Sequence, residues 1–433
     1  MLKRLHSTYI SIFERYPVLL PLAVLSVIAE MGYSLMLIFG LPLYLTESFK
    51  TGYTFVGLAI AAFTGTEMIF KPILGHLSDR IGRKPLMVAG MAASTLMPLL
   101  IAISPFTYLI LFFRAVDGAG AAALWPSISA IAADVVDIRE RTTALSVFNM
   151  AYMIGVGLGP VVGSLVVARF AEARFLFYMV SLLFFLSLLI AWSVSWHRQP
   201  SVAVKDGAAE RETGNRATKI KEVPVKEAKN DKRPRLQGIF SRQRELFQGS
   251  LPALYLMGTI QMLGISALSP ILIKYITEVM GISQSKIPIL FLLPAAGIAL
   301  FSIPLGRMAD HIGKRTAVII GGIMASIALW LIPFAKTLLL FLPLGIITGL
   351  GFVTAVPAWL AHITEAAPRG RIGAVMGMLG TAQGIGSVIG PIVGGYAKDI
   401  LGFNMPFYIS AIFLTLTTLM AALFMKKSFF DNS

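Results

Sequence analysis

Four ionisable residues stand inside long apolar stretches of the chain: Glu30, Glu67, Arg114 and Asp117. An ionised side chain at the centre of a bilayer costs about 3 kcal/mol or more. Such residues therefore face a wet cavity or an opposite charge, and they mark transport pathways. Glu30 lies midway along the first apolar run. Withdrawal from water favours a protonated carboxyl, and a nearby cation favours the charged form. A group balanced between the two can load a proton on one side of a membrane and release it on the other. Arg114 and Asp117 are three residues apart, so they share one helix face and can pair. That pair either takes part in proton transfer or is a neutral structural unit. Glu67 also has two readings: a second proton or cation site, or an acid bonded where two parts of the molecule meet. Lys71 reads as a cation that buries its stem and stretches its head to water.

The elements that must position these residues are membrane spans. Of 433 residues, 56% are hydrophobic and only 14% charged, with a mean hydropathy of +0.77. Runs of about twenty apolar residues imply helices that cross a bilayer. Segments one to six are expected near 17–45, 53–77, 85–104, 106–132, 143–169 and 173–195. Segments seven to twelve are expected near 250–278, 287–309, 316–334, 336–362, 371–397 and 404–425. The first run is too long for a signal-peptide core and is expected to be retained. The divisions are an N-terminal bundle, 1–196, a basic hydrophilic linker, 197–248, and a C-terminal bundle, 249–433. The net charge of +15 collects in loops on one side, which sets orientation and makes nucleic acid an unneeded explanation. Both termini and the linker are thereby expected in the cytoplasm.

Much chemistry is excluded. The chain has no cysteine, and its five histidines show no ligand spacing, so no metal is expected. Gly313-Lys314 is followed by Arg315, so no phosphate-binding loop forms there. No nucleophile–histidine–acid set points to an enzyme. No cofactor is expected, and the simplest energy source is the proton gradient rather than ATP.

The chain repeats itself at an offset of 231 residues. Gly75, Asp79, Gly82 and Arg83 match Gly306, Asp310, Gly313 and Lys314. Asp134 matches Glu365, and Tyr44 matches Tyr275. Gly155, Gly159, Pro160 and Gly163 match Gly386, Gly390, Pro391 and Gly394. The fold class is therefore an all-α membrane protein of twelve transmembrane helices in two six-helix pseudo-symmetric bundles. Parallel repeats of this kind hold substrate between the halves, near the bilayer midplane. Gln261, uncharged, stands where the repeat places Glu30, which fits a proton site in one half only. Tyr33, Phe63, Trp125, Tyr152 and Gln261 are candidate cavity residues, with Met31, Met36, Met150, Met257 and Met262. Flexible and aromatic walls suit varied lipophilic substrates.

The stretch Gly75 to Lys84 resembles the G-x-L-x-D-R-x-G-R-[KR] loop of the major facilitator superfamily. The second copy relaxes it, with His311 where Arg80 stands and Lys314 before Arg315. The resemblance implies the major facilitator fold and a conformational latch built from Gly75, Asp79, Arg80, Gly82, Arg83 and Asp134. Its second-half counterparts are Gly306, Asp310, Lys314 and Glu365. Asp79 would then accept hydrogen bonds from the N-terminal end of segment eleven. That contact is worth about 0.3–1 kcal/mol, or up to about 2 when partly buried. Arg114 and Gly118 resemble an R-x-x-x-G motif linked to proton transfer in coupled members. Gly155, Gly159, Pro160 and Gly163 resemble the segment-five motif of drug exporters, with Ser164 in place of its last glycine. Glycines at this spacing also let helices pack closely.

The expected function is proton-coupled export of small lipophilic or cationic compounds by alternating access. The expected partners are the lipid bilayer, protons and a small-molecule substrate, with no nucleic acid, and the expected state is a monomer in the cytoplasmic (inner) membrane. An uptake symporter or facilitator for a metabolite or lipid remains open, as does a non-transporting sensor or scaffold.

Overall fold

The computed structural model describes residues 12–137, 140–170, 172–194, 245–294, 301, 311–368 and 371–425. Gly306, Asp310, nearly all of the linker and most of segment eight lie outside them. Every described regular element is helical.

Among the described residues, ten helices are long and apolar enough to cross a membrane. Segments one to four are Leu19–Glu47, Tyr53–Ile81, Arg83–Ile103 and Thr107–Val135. Segments five and six are Arg141–Arg169 and Arg174–Ser193. Segments nine to twelve are Lys314–Phe334, Leu338–Ala366, Ile372–Leu401 and Met405–Phe424. Segment seven is the shorter helix Leu251–Ser266, a turn at 267–271 and a further helical stretch to Val279. Segment eight begins as a helix at 287–294.

The first helix of each half is interrupted at matching depth. In segment one, Met36–Gly40 form a π-turn, with the Leu41 N–H bonded to the Met36 carbonyl. Pro42 follows and offers no N–H of its own. In segment seven the matching residues 267–271 leave the helix altogether, beside Pro270.

Side-chain contacts reproduce the repeat in space. The Tyr44 hydroxyl donates to the Ile101 carbonyl at 3.4 Å, and Tyr275 does the same to Ile332 at 3.4 Å. Thr46 bonds back to Pro42, and Thr277 to Ile273. Arg83 pairs with Asp134, and Lys314 with Glu365. Gly82 and Gly313 end segments two and eight at φ +102° and +84°, a left-handed region that favours glycine.

Segment five lies flat on segment one through its glycines. A Cβ at Gly155 would meet the Val27 carbonyl oxygen at 2.7 Å, and one at Gly159 would meet Ser34 at 2.7 Å. Pro160 leaves the Val156 carbonyl without its helical donor. Ser34 supplies a replacement, its hydroxyl donating at 2.8 Å. Gly386, Gly390 and Gly394 seat segment eleven on segment seven in the same way.

The halves meet along a V formed by segments two and eleven. At the end away from the Gly82 turn the two helices touch backbone to backbone. A Cβ at Gly57 would lie 2.2 Å from the Pro391 carbonyl oxygen, and one at Gly395 would lie 2.1 Å from that of Tyr53. Contact continues to Met68 against Gly384 and then stops. Gly373, Gly377 and Gly380 have open space where a Cβ would stand. The molecule is thus closed at the far end and open at the end bearing the Gly82 and Gly313 turns, the motif end.

Candidate functional site

Segments one, two, four and five enclose a cavity of about 540 Å³. Into it come Glu30 and Tyr33 from segment one, Phe63, Glu67 and Lys71 from segment two, Arg114 and Trp125 from segment four, and Asn149 and Tyr152 from segment five. A second cavity, of about 790 Å³, lies between the halves. Thr64, Glu67, Lys71 and Tyr152 border both. Among the described residues, the opposite wall of the second cavity is uncharged and comes from segments seven and eleven, including Met262, Gly377, Gly380 and Thr381.

Glu30 is 7% exposed. It sits behind the Gly155 contact, and the Tyr152 hydroxyl faces its carboxylate. Its charged neighbours are Glu67 and Lys71 on segment two. Glu67 is bound by Lys71 at 3.1 Å, one helical turn away. Lys71 keeps its side chain half exposed while it makes this bond. It holds the acid that lies nearest its own helix face, and it borders both cavities.

Arg114 and Asp117 form a fully buried pair at 2.5 Å. The guanidinium lies 4.2 Å from the centre of the Phe63 ring, and its Nη1 also reaches the Met36 sulfur at 3.6 Å, within the π-turn. Gly118 permits this by letting segment four approach the Phe63 carbonyl. Arg114 Nε and Asp117 Oδ1 have no hydrogen-bond partner, so the pair is buried but not saturated. Asp117 stands behind Arg114 and does not line the cavity. Tyr33 ties the aromatic wall together. Its ring lies 5.5 Å from Phe63 and 6.3 Å from Trp125, and its hydroxyl is 2.8 Å from Ser94.

The structure thus gathers Glu30, Glu67, Arg114, Tyr33, Phe63, Trp125 and Tyr152 around one cavity. Gln261 is not among them. It borders a separate pocket of about 30 Å³ inside the second half, with Met257 and Trp359. The reason is a register difference. Gly155 meets Val27, Glu30 and Met31, whereas Gly386 meets Thr259, Met262 and Leu263, one residue further along the repeat. A slip of one residue turns a helical side chain by about 100°. Met262, the counterpart of Met31, faces the cavity instead.

At the motif end Arg83 and Lys314 each pair with an acid of their own half. Arg83 joins Asp134, and Asp79 is 3.7 Å from Arg83 and 61% exposed. Arg80 is exposed, and the Cβ position of Gly75 approaches only Pro126, at 3.8 Å. The expected contact of Asp79 with the start of segment eleven is not made in this open conformation.

At the far end charges join the halves, and these residues were not singled out from the sequence. Lys274, with its side chain 8% exposed, bonds Glu47 at 2.7 Å across the halves and Glu278 at 2.9 Å within its own. Asp399, at the end of segment eleven, accepts the backbone N–H groups of Tyr53 at 2.9 Å and Thr54 at 2.8 Å. It thereby caps the first turn of segment two from the other half. Lys398 lies 3.9 Å from the centre of the Tyr53 ring. Charged residues at helix ends are ordinary in a sequence, so only the Lys274–Glu278 spacing offered a signal, and that within one helix.

The sequence profile of the Major Facilitator Superfamily matches residues 22–260 and 254–432. The chain is similar to "Multidrug resistance protein 1" of Bacillus subtilis, 23% identical over 376 residues, 87% of this chain and 88% of that one. It is 25% identical over 362 residues to "Proton-coupled antiporter flippase LtaA" of Staphylococcus epidermidis, 82% of each chain. Among solved structures, a bacterial homologue of the human lysosomal transporter Spinster, in an inward-facing and unoccupied conformation, superposes with a TM-score of 0.74. That match is 15% identical and covers 95% of this chain and 97% of that one, a likeness of fold.

Proposed function

The chain belongs to the major facilitator superfamily, and from that premise we propose that it is a proton-coupled exporter of small lipophilic or cationic compounds. It works in the cytoplasmic membrane by alternating access, driven by the proton gradient and without a cofactor. The observation that carries this reading is Glu30. It is a buried acid on a cavity wall with no ion-pair partner among the described residues, while Glu67 and Asp117 each have one. Relatives named for multidrug resistance and for proton-coupled antiport support it.

In this cycle the motif end is cytoplasmic. Substrate enters the open V and settles against Glu30, Tyr152 and the aromatic wall, displacing a proton. Desolvation and a fixed cation set how readily the carboxyl changes state. Arg114, held by Asp117, keeps a positive charge close behind the aromatic wall and tunes that balance. Closure brings Asp79 to the N-terminal end of segment eleven, where the helix dipole favours an anion. The far-end bonds of Lys274 and Asp399 must then release. A proton from outside reclaims Glu30 as substrate leaves.

The test is gradient-driven efflux from proteoliposomes together with proton release on substrate binding in lightly buffered solution. Glu30→Gln abolishes both; unchanged efflux removes Glu30 from the mechanism. A second reading, movement of an amphiphilic lipid, is favoured by the flippase relative and by the size of the cavity between the halves. Counterflow with and without a pH gradient, using a lipid and a small cation in turn, separates the two.

A further inference from the structure

A groove of about 470 Å³ runs along the outer, membrane-facing side of the second half, between segments nine and twelve. Ile319, Ile323 and Ile327 form one wall, and Thr415, Leu419 and Ala422 the other. The two helices face each other here without filling the space between them.

The charge at its mouth says what fills it. Arg315 stands one turn before Ile319. Its Nη2 donates to the carbonyl of Ala422, a residue of the groove wall, at 2.5 Å. That bond holds the guanidinium at the mouth of the groove. No carboxylate pairs with it among the described residues, whereas the neighbouring Lys314 is taken up by Glu365. The lining itself is apolar apart from three hydroxyl residues and the Trp330 indole, so the groove offers hydrocarbon contact along its length and one cation at its end.

The dimensions match one lipid chain. On segment nine the lining runs from Ile319 to Trp330, eleven residues or about 16 Å of helix rise. Half of a hydrocarbon core about 30 Å thick is about 15 Å. At its inner end the groove stops under Trp330, whose indole N–H donates to Thr415 at 3.3 Å. The groove therefore has about the length of one acyl chain and begins one turn inside Arg315.

We infer that this groove is a binding site for one anionic glycerophospholipid of the motif-end leaflet. Its phosphate meets Arg315 and one acyl chain lies between segments nine and twelve. Guanidinium is suited to phosphate because it offers parallel donors in a fixed plane. The site lies within one half, so the lipid stays in place as the halves rock. The inference does not depend on the direction of transport.

Trp330 makes the site readable, because bromine on an acyl chain quenches a tryptophan it touches. The full-length protein is reconstituted in vesicles containing dibrominated phosphatidylglycerol or dibrominated phosphatidylcholine. The Trp330 signal is the difference between wild type and Trp330→Phe. Quenching by the anionic lipid is expected at about fivefold lower lipid fraction, the ratio for about 1 kcal/mol per basic residue at the surface. Arg315→Gln removes that preference and Arg315→Lys keeps it. Ser326→Leu, which fills the groove, lowers quenching by both lipids. Melting temperatures of each variant establish that the chain is folded. Equal quenching by both headgroups, or a preference that survives Arg315→Gln in a folded protein, makes the groove ordinary lipid contact and overturns the inference.

Discussion

The two halves share a skeleton and differ in what they place inside it. Tyrosines at matching positions pin matching carbonyls, and glycines at matching positions seat segment five on one and segment eleven on seven. The interior charges do not repeat. Where the first half has Glu30, Glu67, Arg114 and Asp117, the second has Gln261, Ile298, Gly345 and Thr348. The difference separates two demands. Close helix packing needs small residues and pinned carbonyls in both halves, because both must move as solid blocks. Proton and substrate chemistry needs its groups once. Among the described residues, the second half contributes an uncharged wall to the cavity between them.

The sharpest way to break the comparison is to exchange its chemistry. Glu30→Gln should abolish coupled efflux from proteoliposomes, and adding Gln261→Glu should not restore it, because Gln261 faces a different pocket. Recovery of efflux in the double variant would make the halves interchangeable.

The next largest effect is on stability. Arg114→Leu leaves Asp117 alone in a fully buried site and should cost about 3–5 kcal/mol. At the matching place, Gly345→Ala has room among the described residues, the nearest atom lying 3.9 Å from its Cβ position. It should stabilise the chain by about 0.5–1 kcal/mol. Unfolding in detergent micelles reads both. Equal effects would mean that the first-half pair is not a stressed element.

A smaller effect tests how the halves are joined. Asp399→Ala removes the far-end cap of segment two, worth about 1 kcal/mol. The far-end-open population should grow about fivefold. Distances between spin labels at positions 50 and 402 measure it. The smallest effect is expected from Gly75→Ala, since nothing lies closer than 3.8 Å in this conformation. The same change at Gly57 should force the far end apart, because its Cβ would strike backbone at 2.2 Å. If both glycines tolerate alanine equally, segments two and eleven do not form a V.

Much of this arrangement was written in residue types. Apolar runs gave the spans, and the 231-residue offset gave the halves. An acid within an apolar run stands out because hydrocarbon penalises it, so Glu30 and Glu67 were visible. The pairing of Glu67 with Lys71 was not singled out, because a lysine at a helix flank is usually solvated and the spacing of Lys71 fits either role. Gln261 was placed by repeat arithmetic, which cannot register a one-residue slip between helices. The far-end contacts of Glu47, Lys274 and Asp399 were hidden for another reason. They join residues more than two hundred positions apart, and nothing local marks them.

The grip of Asp399 has a consequence for any search for paired changes among relatives. Its carboxylate holds amide hydrogens of the main chain, which every residue except proline supplies. Two of the three bonds to Asp399 therefore survive any change at positions 53 and 54 except proline, and only the bond from the Thr54 hydroxyl, at 2.7 Å, depends on residue type. Statistics of correlated substitution would see at most the faint trace of that one hydroxyl and underrate a fastening that keeps the far-end door shut.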